Sequence, residues 1–402
     1  MLLTREEQEM LDGAQGRATR KAMEILAALG EIYAAERMTE VTSVQIAGVS
    51  YDNLGEAGLK FLIEMAEGGG EAKVQTTLNP AGMDIHNWQE LGIPEDFARN
   101  QKRVIQAFET IGVETTCTCT PYLAGNLPNY GEHIAWAESS AVCYANSIIG
   151  ARTNREGGPS ALAACLTGRT PMYGFHLEAN RAPNLTVEVG TEIKGTHEFG
   201  ALGKAIGDRS AHSGSKTVPY ILGIKSASLE ELKSFCASLA TYAGAALFHI
   251  PGITPEAERY NPPAERIQIT RTDLEQSVQS MNDQLEAEAD FVSLGCPHLT
   301  IDEIARIAQL LEGRQVVKEF WITTSRPVKR IADQLGYSAV IEESGAKFAT
   351  DTCCVVAPIK GRFQSLVTDS AKACYYAYAK NEFKTRLLPF EEVVLEATRK
   401  AA

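Results

Sequence analysis

The sequence lacks long apolar runs and clusters of positive charge. No window approaches the roughly 18 apolar residues of a membrane-spanning helix. Residues 1–7 become charged at once, unlike a secretory signal peptide. The longest basic runs are pairs such as Arg20-Lys21, and the formal net charge is −13. This balance disfavours nucleic acids and anionic membranes as partners, because both require basic patches. We therefore expect a cytoplasmic protein.

Several motifs of common chemistries are also missing. There is neither a Walker A loop nor the Gly-x-Ser-x-Gly elbow of serine hydrolases. The seven histidines are scattered singly, so no His-x-x-x-His zinc motif is present. Nine cysteines are present, an odd number, and we expect no disulfides in a reducing cytoplasm. Each cysteine is therefore expected either to be buried in the core or to bind a metal.

What is present is a regular alternation of strand-like and helix-like segments. A length of 402 residues exceeds the span over which one hydrophobic core usually grows. The alternation predicts an α/β fold with mostly parallel sheets. We expect closely packed lobes with approximate boundaries near residues 170 and 217. Among the individual elements, a helix is predicted over 134–148 and a strand over 113–118.

Unusual segments follow several of the predicted strands. In parallel sheets, ligands bind beyond the carboxyl ends of the strands, so these segments are candidate site residues. They are Gly48-Val49-Ser50, Asn79-Pro80-Ala81-Gly82, Cys119-Thr120-Pro121-Tyr122 and Cys296-Pro297-His298.

The cysteines fall into two groups. Four lie within predicted helices, where free cysteine is usually a buried core residue; they are Cys143, Cys165, Cys236 and Cys374. By contrast, Cys119, Cys296 and Cys353 each lie at a strand edge or beside a proline. Thiolates suit an iron–sulfur cluster and zinc equally well, so the residues alone leave both cofactors open.

Long strings of the sequence resemble the aconitase X family. The central string is GEHIAWAESSAV at 131–142, followed by GARTNREGGPS at 150–160. Shorter matching strings are AGVS at 47–50, TLNPAG at 77–82, TCTPY at 118–122, GCPH at 295–298 and DTC at 351–353. The resemblance extends from about residue 3 to about residue 380, and it implies an aconitase-like catalytic region spanning 1–402.

Members of this family are dehydratases related to aconitase. The resemblance implies a [4Fe–4S] cluster held by Cys119, Cys296 and Cys353, with a [2Fe–2S] cluster or mononuclear iron as alternatives. Three protein ligands would leave one iron open to act as a Lewis acid on the substrate hydroxyl. Cys117 competes with Cys119 for its place in this set, and Cys354 competes with Cys353.

The resemblance also implies a set of substrate-binding residues. They are Gly48, Val49, Ser50, Asn79, Pro80, Glu138, Ser139, Arg152, Arg155 and Lys372. Most of these residues have a structural alternative. The Gly48 segment could simply be a strand-ending turn, Glu138 and Ser139 are expected in mid-helix, and the arginines could form structural ion pairs. Lys372 could lie on a solvated helix face, and His298 could bond a cluster sulfur, bond a substrate or be structural.

The family also uses a small swivelling domain that carries a catalytic serine base. The sequence ends soon after residues 391–395, so we expect this domain to be a separate small subunit without which the chain is inactive. The expected reaction converts mevalonate 5-phosphate to trans-anhydromevalonate 5-phosphate in an archaeal-type mevalonate pathway of isoprenoid biosynthesis. The alternative substrate is cis-3-hydroxy-L-proline. A non-catalytic metal-binding scaffold of the same fold and a structural zinc site remain as alternatives of other classes.

Overall fold

Strands and helices alternate along most of the chain, which the computed structural model describes over residues 1–210, 217–283 and 289–399. The three larger sheets are parallel throughout, and β1 with β5 forms a small antiparallel pair. The predicted α/β class with mostly parallel sheets is therefore confirmed. Within the described residues, every helix is too short or too polar to cross a bilayer.

The N-terminal part surrounds a three-stranded sheet of order β3-β2-β4. Its elements are α1 (Arg5–Asp12), α2 (Arg17–Ile32), β1 (Met38–Glu40), β2 (Ser43–Ile46), α3 (Tyr51–Glu67), β3 (Gln75–Leu78), α4 (Glu95–Ile111), β4 (Ala135–Trp136), α5 (Ser139–Tyr144), α6 (Gly158–Thr167) and β5 (Arg169–Pro171). Buried apolar side chains of α2, α3, α4 and α6 cover this sheet.

The middle part contains a second three-stranded sheet of order β7-β6-β8. Its elements are β6 (Leu185–Val189), α7 (Gly195–Ser210), β7 (Pro219–Leu222), α8 (Leu229–Tyr242), β8 (Arg266–Ile269) and α9 (Arg271–Ser280). One hydrophobic core joins these elements to α5 of the N-terminal part, so the two parts share buried surface. The predicted boundaries near 170 and 217 stay predictions, and the second adjoins residues 211–216, which lie outside the described ranges.

The C-terminal part contains a five-stranded sheet of order β11-β10-β9-β12-β13. Its elements are β9 (Phe291–Leu299), α10 (Ile301–Leu311), β10 (Glu319–Thr324), α11 (Arg326–Gln334), α12 (Tyr337–Glu343), β11 (Lys347–Thr350), β12 (Ser365–Thr368), α13 (Ala371–Asn381), β13 (Lys384–Leu387) and α14 (Phe390–Thr398). Capping residues determine where several helices begin. Thr300 and Glu303, for example, form a capping box at the start of α10.

Two sequence predictions about individual elements are wrong. The predicted helix over 134–148 is instead β4 followed by α5, because Glu138 has extended backbone angles and caps the helix by accepting the Ser140 N–H. Glu138 is therefore the N-cap of α5 and Ser139 its first residue, and neither lies in mid-helix. The β-branched stretch at 113–118 forms no named strand, although Glu114 makes an isolated bridge to Thr77.

Candidate active site

Several of the candidate site residues lie where parallel strands end. Gly48–Ser50 follows β2, Asn79 follows β3, and Glu138 follows β4. In the C-terminal sheet, Cys353 follows β11 and Lys372 follows β12. Because the carboxyl ends of parallel strands share one sheet edge, segments far apart in the sequence are brought together there.

Cys296 is presented by a bulge in β9. Leu294 pairs with Ile322 and Leu299 pairs with Thr324, so residues 295–298 face a single residue of β10. Gly295 has φ +104°, and a Cβ built on it would lie 2.2 Å from the Thr323 carbonyl oxygen. Only glycine fits this close approach, so the glycine before Cys296 is required by the bulge that exposes the sulfur.

The three candidate cysteine sulfurs and the Lys372 ammonium form one group. Lys372 interacts electrostatically with Cys119 and Cys296, and Cys353 interacts with both of these thiols and with Lys372. Burial raises the pKa of each thiol, and for Cys296 the pKa rises to about 12. Thiolates in this environment therefore need compensating positive charge.

Each of the three sulfurs also faces hydrogen-bond donors. The His298 backbone N–H donates to Cys119 Sγ at 3.2 Å. The Ser370 hydroxyl donates to Cys296, and the backbone N–H groups of residues 355 and 356 donate to Cys353, which lowers the pKa of both thiols against burial. Such donors stabilise thiolates, so the set is suited to metal or cluster ligation.

The competing cysteines have different surroundings. Cys117 interacts with Asp351 and Arg326 rather than with the other candidate ligands. Cys354 is buried in a hydrophobic cluster, but it also interacts electrostatically with Cys353 and Cys296, so the choice between Cys353 and Cys354 stays a prediction. The predicted core cysteines 143, 165, 236 and 374 are all buried, as expected, and all nine cysteines are free thiols.

Glu138 and Lys372 form a buried ion pair between α5 and α13. Lys372 Nζ donates to Glu138 Oε1 and lies 3.3 Å from Ser139 Oγ. Burial opposes ionisation of Glu138, but the Lys372 ammonium outweighs it and lowers the pKa of the carboxyl to about 2. Burial likewise disfavours the charged form of Lys372. The Glu138 carboxylate outweighs this effect of burial, so the pKa of Lys372 is raised. The solvated-face alternative for Lys372 is therefore wrong.

Asn79 extends this pair. Its Nδ2 donates to Glu138 Oε2 at 2.8 Å, which fixes the orientation of the amide because a carboxylate can only accept. Its Oδ1 is buried and has no hydrogen-bond partner within the described structure. A buried acceptor without a partner is costly unless a ligand supplies a donor. Pro80 is buried next to it.

The Gly48–Ser50 segment borders the cysteine loop. Gly48 has φ +79°, and no atom lies within 4 Å of the position that its Cβ would take, so the backbone is open to a ligand there. Ser50 is fully buried, and its hydroxyl donates to the Val356 carbonyl at 3.1 Å. This contact joins the turn after β2 to the loop that carries Cys353.

The two predicted arginines are placed differently from the rest of the set. Arg152 forms an ion pair with Glu178, which favours the structural alternative. Arg155 is exposed. None of the interactions described for Arg152 and Arg155 reaches the cysteines or Lys372. Their substrate-binding role stays a prediction.

Sequence reasoning gave His298 no defined role. Its ring lies between the other two cysteine segments, with Nδ1 3.0 Å from Thr118 Oγ1 and Nε2 2.9 Å from the Thr352 carbonyl oxygen. Its own carbonyl accepts a hydrogen bond from Lys233, whose Nζ also pairs with Glu303 at 2.6 Å. Lys233 was missed altogether, since a lysine inside a helix carries no signal in the sequence that it is buried.

The donor set fits an iron–sulfur cluster. Three sulfurs, their hydrogen-bond donors and one ammonium lie together; Cys119 and Cys353 are buried, and Cys296 is partly exposed. In the described ranges, no three His, Cys, Asp or Glu side chains converge closely enough for a single metal ion. Ligands of a cluster bind different irons, so they do not need to converge on one point.

Similarity to known proteins extends along the chain. Family models match the chain in three consecutive regions: "Aconitase X first domain" over residues 1–179, "Aconitase X second domain" over 183–279 and "Aconitase X third domain" over 289–399. The chain belongs to the aconitase X family. The resemblance of the sequence strings to this family is thereby confirmed.

Solved and curated relatives cover most of the chain. The crystal structure of Thermococcus kodakaraensis aconitase X in its holo-form matches with a TM-score of 0.91 and 42% identity, covering 99% of this chain and 100% of that one. The phosphomevalonate dehydratase large subunit of Methanothermobacter thermautotrophicus is 44% identical, with 93% of each chain covered. The cis-3-hydroxy-L-proline dehydratase of Hypocrea jecorina is 34% identical, with 93% of this chain and 65% of that protein covered.

Proposed function

We propose that this chain is the large subunit of a phosphomevalonate dehydratase, a hydro-lyase that converts mevalonate 5-phosphate to trans-anhydromevalonate 5-phosphate. The observation that carries the proposal is the grouping of Cys119, Cys296 and Cys353 around the Lys372–Glu138 pair. The choice of substrate is supported by four archaeal relatives with that name, which are 42–44% identical over nearly their full length. Relatives named for hydroxyproline are 32–34% identical, similar to a fifth phosphomevalonate dehydratase large subunit at 32%, but only 65% of their length is covered, against 98% for that large subunit.

Cys119, Cys296 and Cys353 are the proposed ligands of a [4Fe–4S] cluster. When bound, such a cluster would supply a Lewis-acidic iron for the departing hydroxyl group. The hydrogen-bond donors at each sulfur favour the thiolate form that ligation requires. A structural zinc site would leave the adjacent Lys372 and the unpaired Asn79 oxygen without a purpose.

Lys372, Asn79 and the Gly48 turn are the proposed substrate contacts. The Lys372 ammonium has three N–H donors, and two of them donate hydrogen bonds to Glu138 and Ser139. The third is therefore available to bind an anionic substrate oxygen. The Asn79 Oδ1 can accept a hydrogen bond from a substrate hydroxyl group. Because Glu138 stays ionised and already accepts several hydrogen bonds, its role is to hold Lys372 and Asn79 in place.

The proton removed during dehydration requires a base from outside this set. Glu138, with a pKa of about 2, is too weak a base for a carbon-bound proton at neutral pH. A separate small subunit that carries the base is the proposed partner, in agreement with the words "large subunit" in the relatives' names. We accordingly expect the isolated chain to be inactive.

Co-expression with the small subunit and anaerobic purification test this function. The complex should be brown and should dehydrate mevalonate 5-phosphate rather than cis-3-hydroxy-L-proline, with product identified by mass spectrometry. Alanine at position 119, 296 or 353 should abolish both colour and turnover. The matched control, Cys165→Ala, removes a buried helical cysteine of the core and should retain both. Turnover of hydroxyproline alone would reassign the substrate, and a coloured complex that turns over neither would favour the scaffold alternative.

A further inference from the structure

His298 forms hydrogen bonds with residues of all three family domains close to the cysteines. Its ring reaches Thr118 of the first domain, and its backbone N–H reaches the neighbouring Cys119. Within its own third domain it reaches the carbonyl of Thr352, next to Cys353. Its carbonyl accepts from Lys233 of the second domain at 2.8 Å. The three cysteine-bearing segments are thus tied to one side chain and its backbone.

The hydrogen bonds determine the tautomer of the ring. A backbone carbonyl can only accept, so Nε2 carries the proton that is donated to Thr352. Nδ1 is then the acceptor, and the Thr118 hydroxyl donates to it. The Thr118 oxygen in turn accepts the Thr120 N–H at 3.2 Å. Both ring nitrogens are therefore occupied within the protein, which leaves neither of them free to bind a substrate or a metal.

A lysine of the second domain holds the backbone of His298 in place. Lys233 is buried on α8 and pairs with Glu303, whose carboxylate also accepts the Thr300 N–H at 2.8 Å. A buried ion pair of this kind has a fixed geometry, because moving either partner leaves a charge uncompensated. The His298 backbone, and with it the bulge that presents Cys296, is thereby fixed against α8.

We propose that His298 is a positioning residue that sets the spacing of Cys119, Cys296 and Cys353 before the cluster is bound. This inference rests on the proposed cluster site, although it does not depend on the identity of the substrate. Without the ring, the Cys119 and Cys353 segments would lose their common hydrogen-bond partner, while Cys296 would remain on its bulge. The sulfurs would then have to be brought into place by the cluster itself.

Two isosteric substitutions separate the two ring contacts. Glutamine places its amide nitrogen near the position of Nε2, so His298→Gln can keep the bond to Thr352 and loses the bond to Thr118. Asparagine reaches only the position of Nδ1, so His298→Asn can keep Thr118 and loses Thr352. His298→Leu loses both. Outer hydrogen-bond partners of ligands typically change metal affinity about 10–100-fold. We expect His298→Leu to lose its cluster faster by a factor in that range, with the amide variants between it and the wild type.

The experiment uses the anaerobically purified complex of both subunits. The rate at which visible absorbance bleaches in the presence of an iron chelator measures cluster retention, and electron paramagnetic resonance of the reduced, still-loaded fraction measures its geometry. Thermal denaturation of the apo-complex reports stability separately. His249→Gln is the matched control, because His249 is also buried and donates from Nε2 to a backbone carbonyl, that of Arg181 at 2.8 Å.

The inference predicts faster bleaching and an altered resonance spectrum in the His298 variants, but not in His249→Gln. Thr118→Val should reproduce the effect of His298→Gln even if His298→Leu fails to fold. Equal bleaching rates and identical spectra in all variants would overturn the positioning role, as would a wild-type complex that takes up no cluster. A wild-type complex that holds the cluster but leaves phosphomevalonate unchanged would instead refute the proposed substrate and leave this result standing.

Discussion

Replacing Lys372 by methionine should destabilise the protein, because Glu138 would be left as a buried carboxylate without its ion-pair partner. The pair joins α5 of the first domain to α13 of the third, and the exposed fractions of the two side chains are only 10% and 11%. Methionine keeps much of the volume of the lysine but removes the charge, so Glu138 loses the ammonium that offsets its burial. Breaking a buried ion pair in this way typically costs about 3–5 kcal/mol of folding free energy.

The loss of folding free energy in Lys372→Met should depend on pH. In the wild type the folded-state pKa of Glu138, about 2, lies below its unfolded value, so its stabilisation is present at neutral pH and lost only as the pH falls toward 2. In Lys372→Met, burial dominates and should raise the pKa of Glu138 above the unfolded value. The variant then binds a proton on folding, so its deficit should be smaller near pH 4 than at pH 7.

Urea denaturation of the apo-protein, followed by tryptophan fluorescence, measures this deficit. The double variant Lys372→Met, Glu138→Gln contains no buried charge at this position and should recover part of the loss. Lys60→Met is the control, because Lys60 forms an exposed pair with Glu64 at 3.9 Å and should change stability by less than about 1 kcal/mol. A deficit in Lys372→Met as small as that of the control, and independent of pH, would refute the reasoning.

Further predictions concern the bulge, the choice of ligand and acid stability. Gly295→Ala should destabilise the protein by at least about 1–3 kcal/mol in urea titrations, because φ is +104° and the new Cβ would overlap a carbonyl of the facing strand; an unchanged midpoint would contradict the bulge geometry. Cys117→Ala should retain iron and acid-labile sulfide whereas Cys119→Ala should lose them, and the reverse result would exchange the two assignments. Burial lowers the folded-state pKa of His176 to about 3, so the unfolded chain binds its proton first, and stability should fall by about 1.4 kcal/mol per pH unit below about pH 6.5 on its account. Replacing His176 with glutamine should remove that contribution from the slope, and an unchanged slope would contradict the assignment.

Family strings allowed the sequence to predict much of the candidate site. Cys119, Cys296 and Cys353 were identified from their unusual neighbours, and the α/β class followed from alternating periodicity. The prediction that Glu138 lies in mid-helix was wrong for an informative reason. An apolar run around it is typical of a helix, yet its carboxylate caps α5 and thereby directs the side chain to Lys372. Local pattern could not indicate that, because the partner lies 234 residues away.

The sequence by itself determined the fold class, the family and the identity of the chemically distinctive residues, because these depend on residue type and local periodicity. Only the tertiary structure decided how these residues combine. Lys372 became the buried partner of Glu138, and His298 became the link between the cysteine segments. The physical reason is that burial and hydrogen-bond partnership arise from strands that pair side by side across hundreds of residues. A helix-borne lysine or a lone histidine has the same local sequence whether it faces water or the centre of the protein.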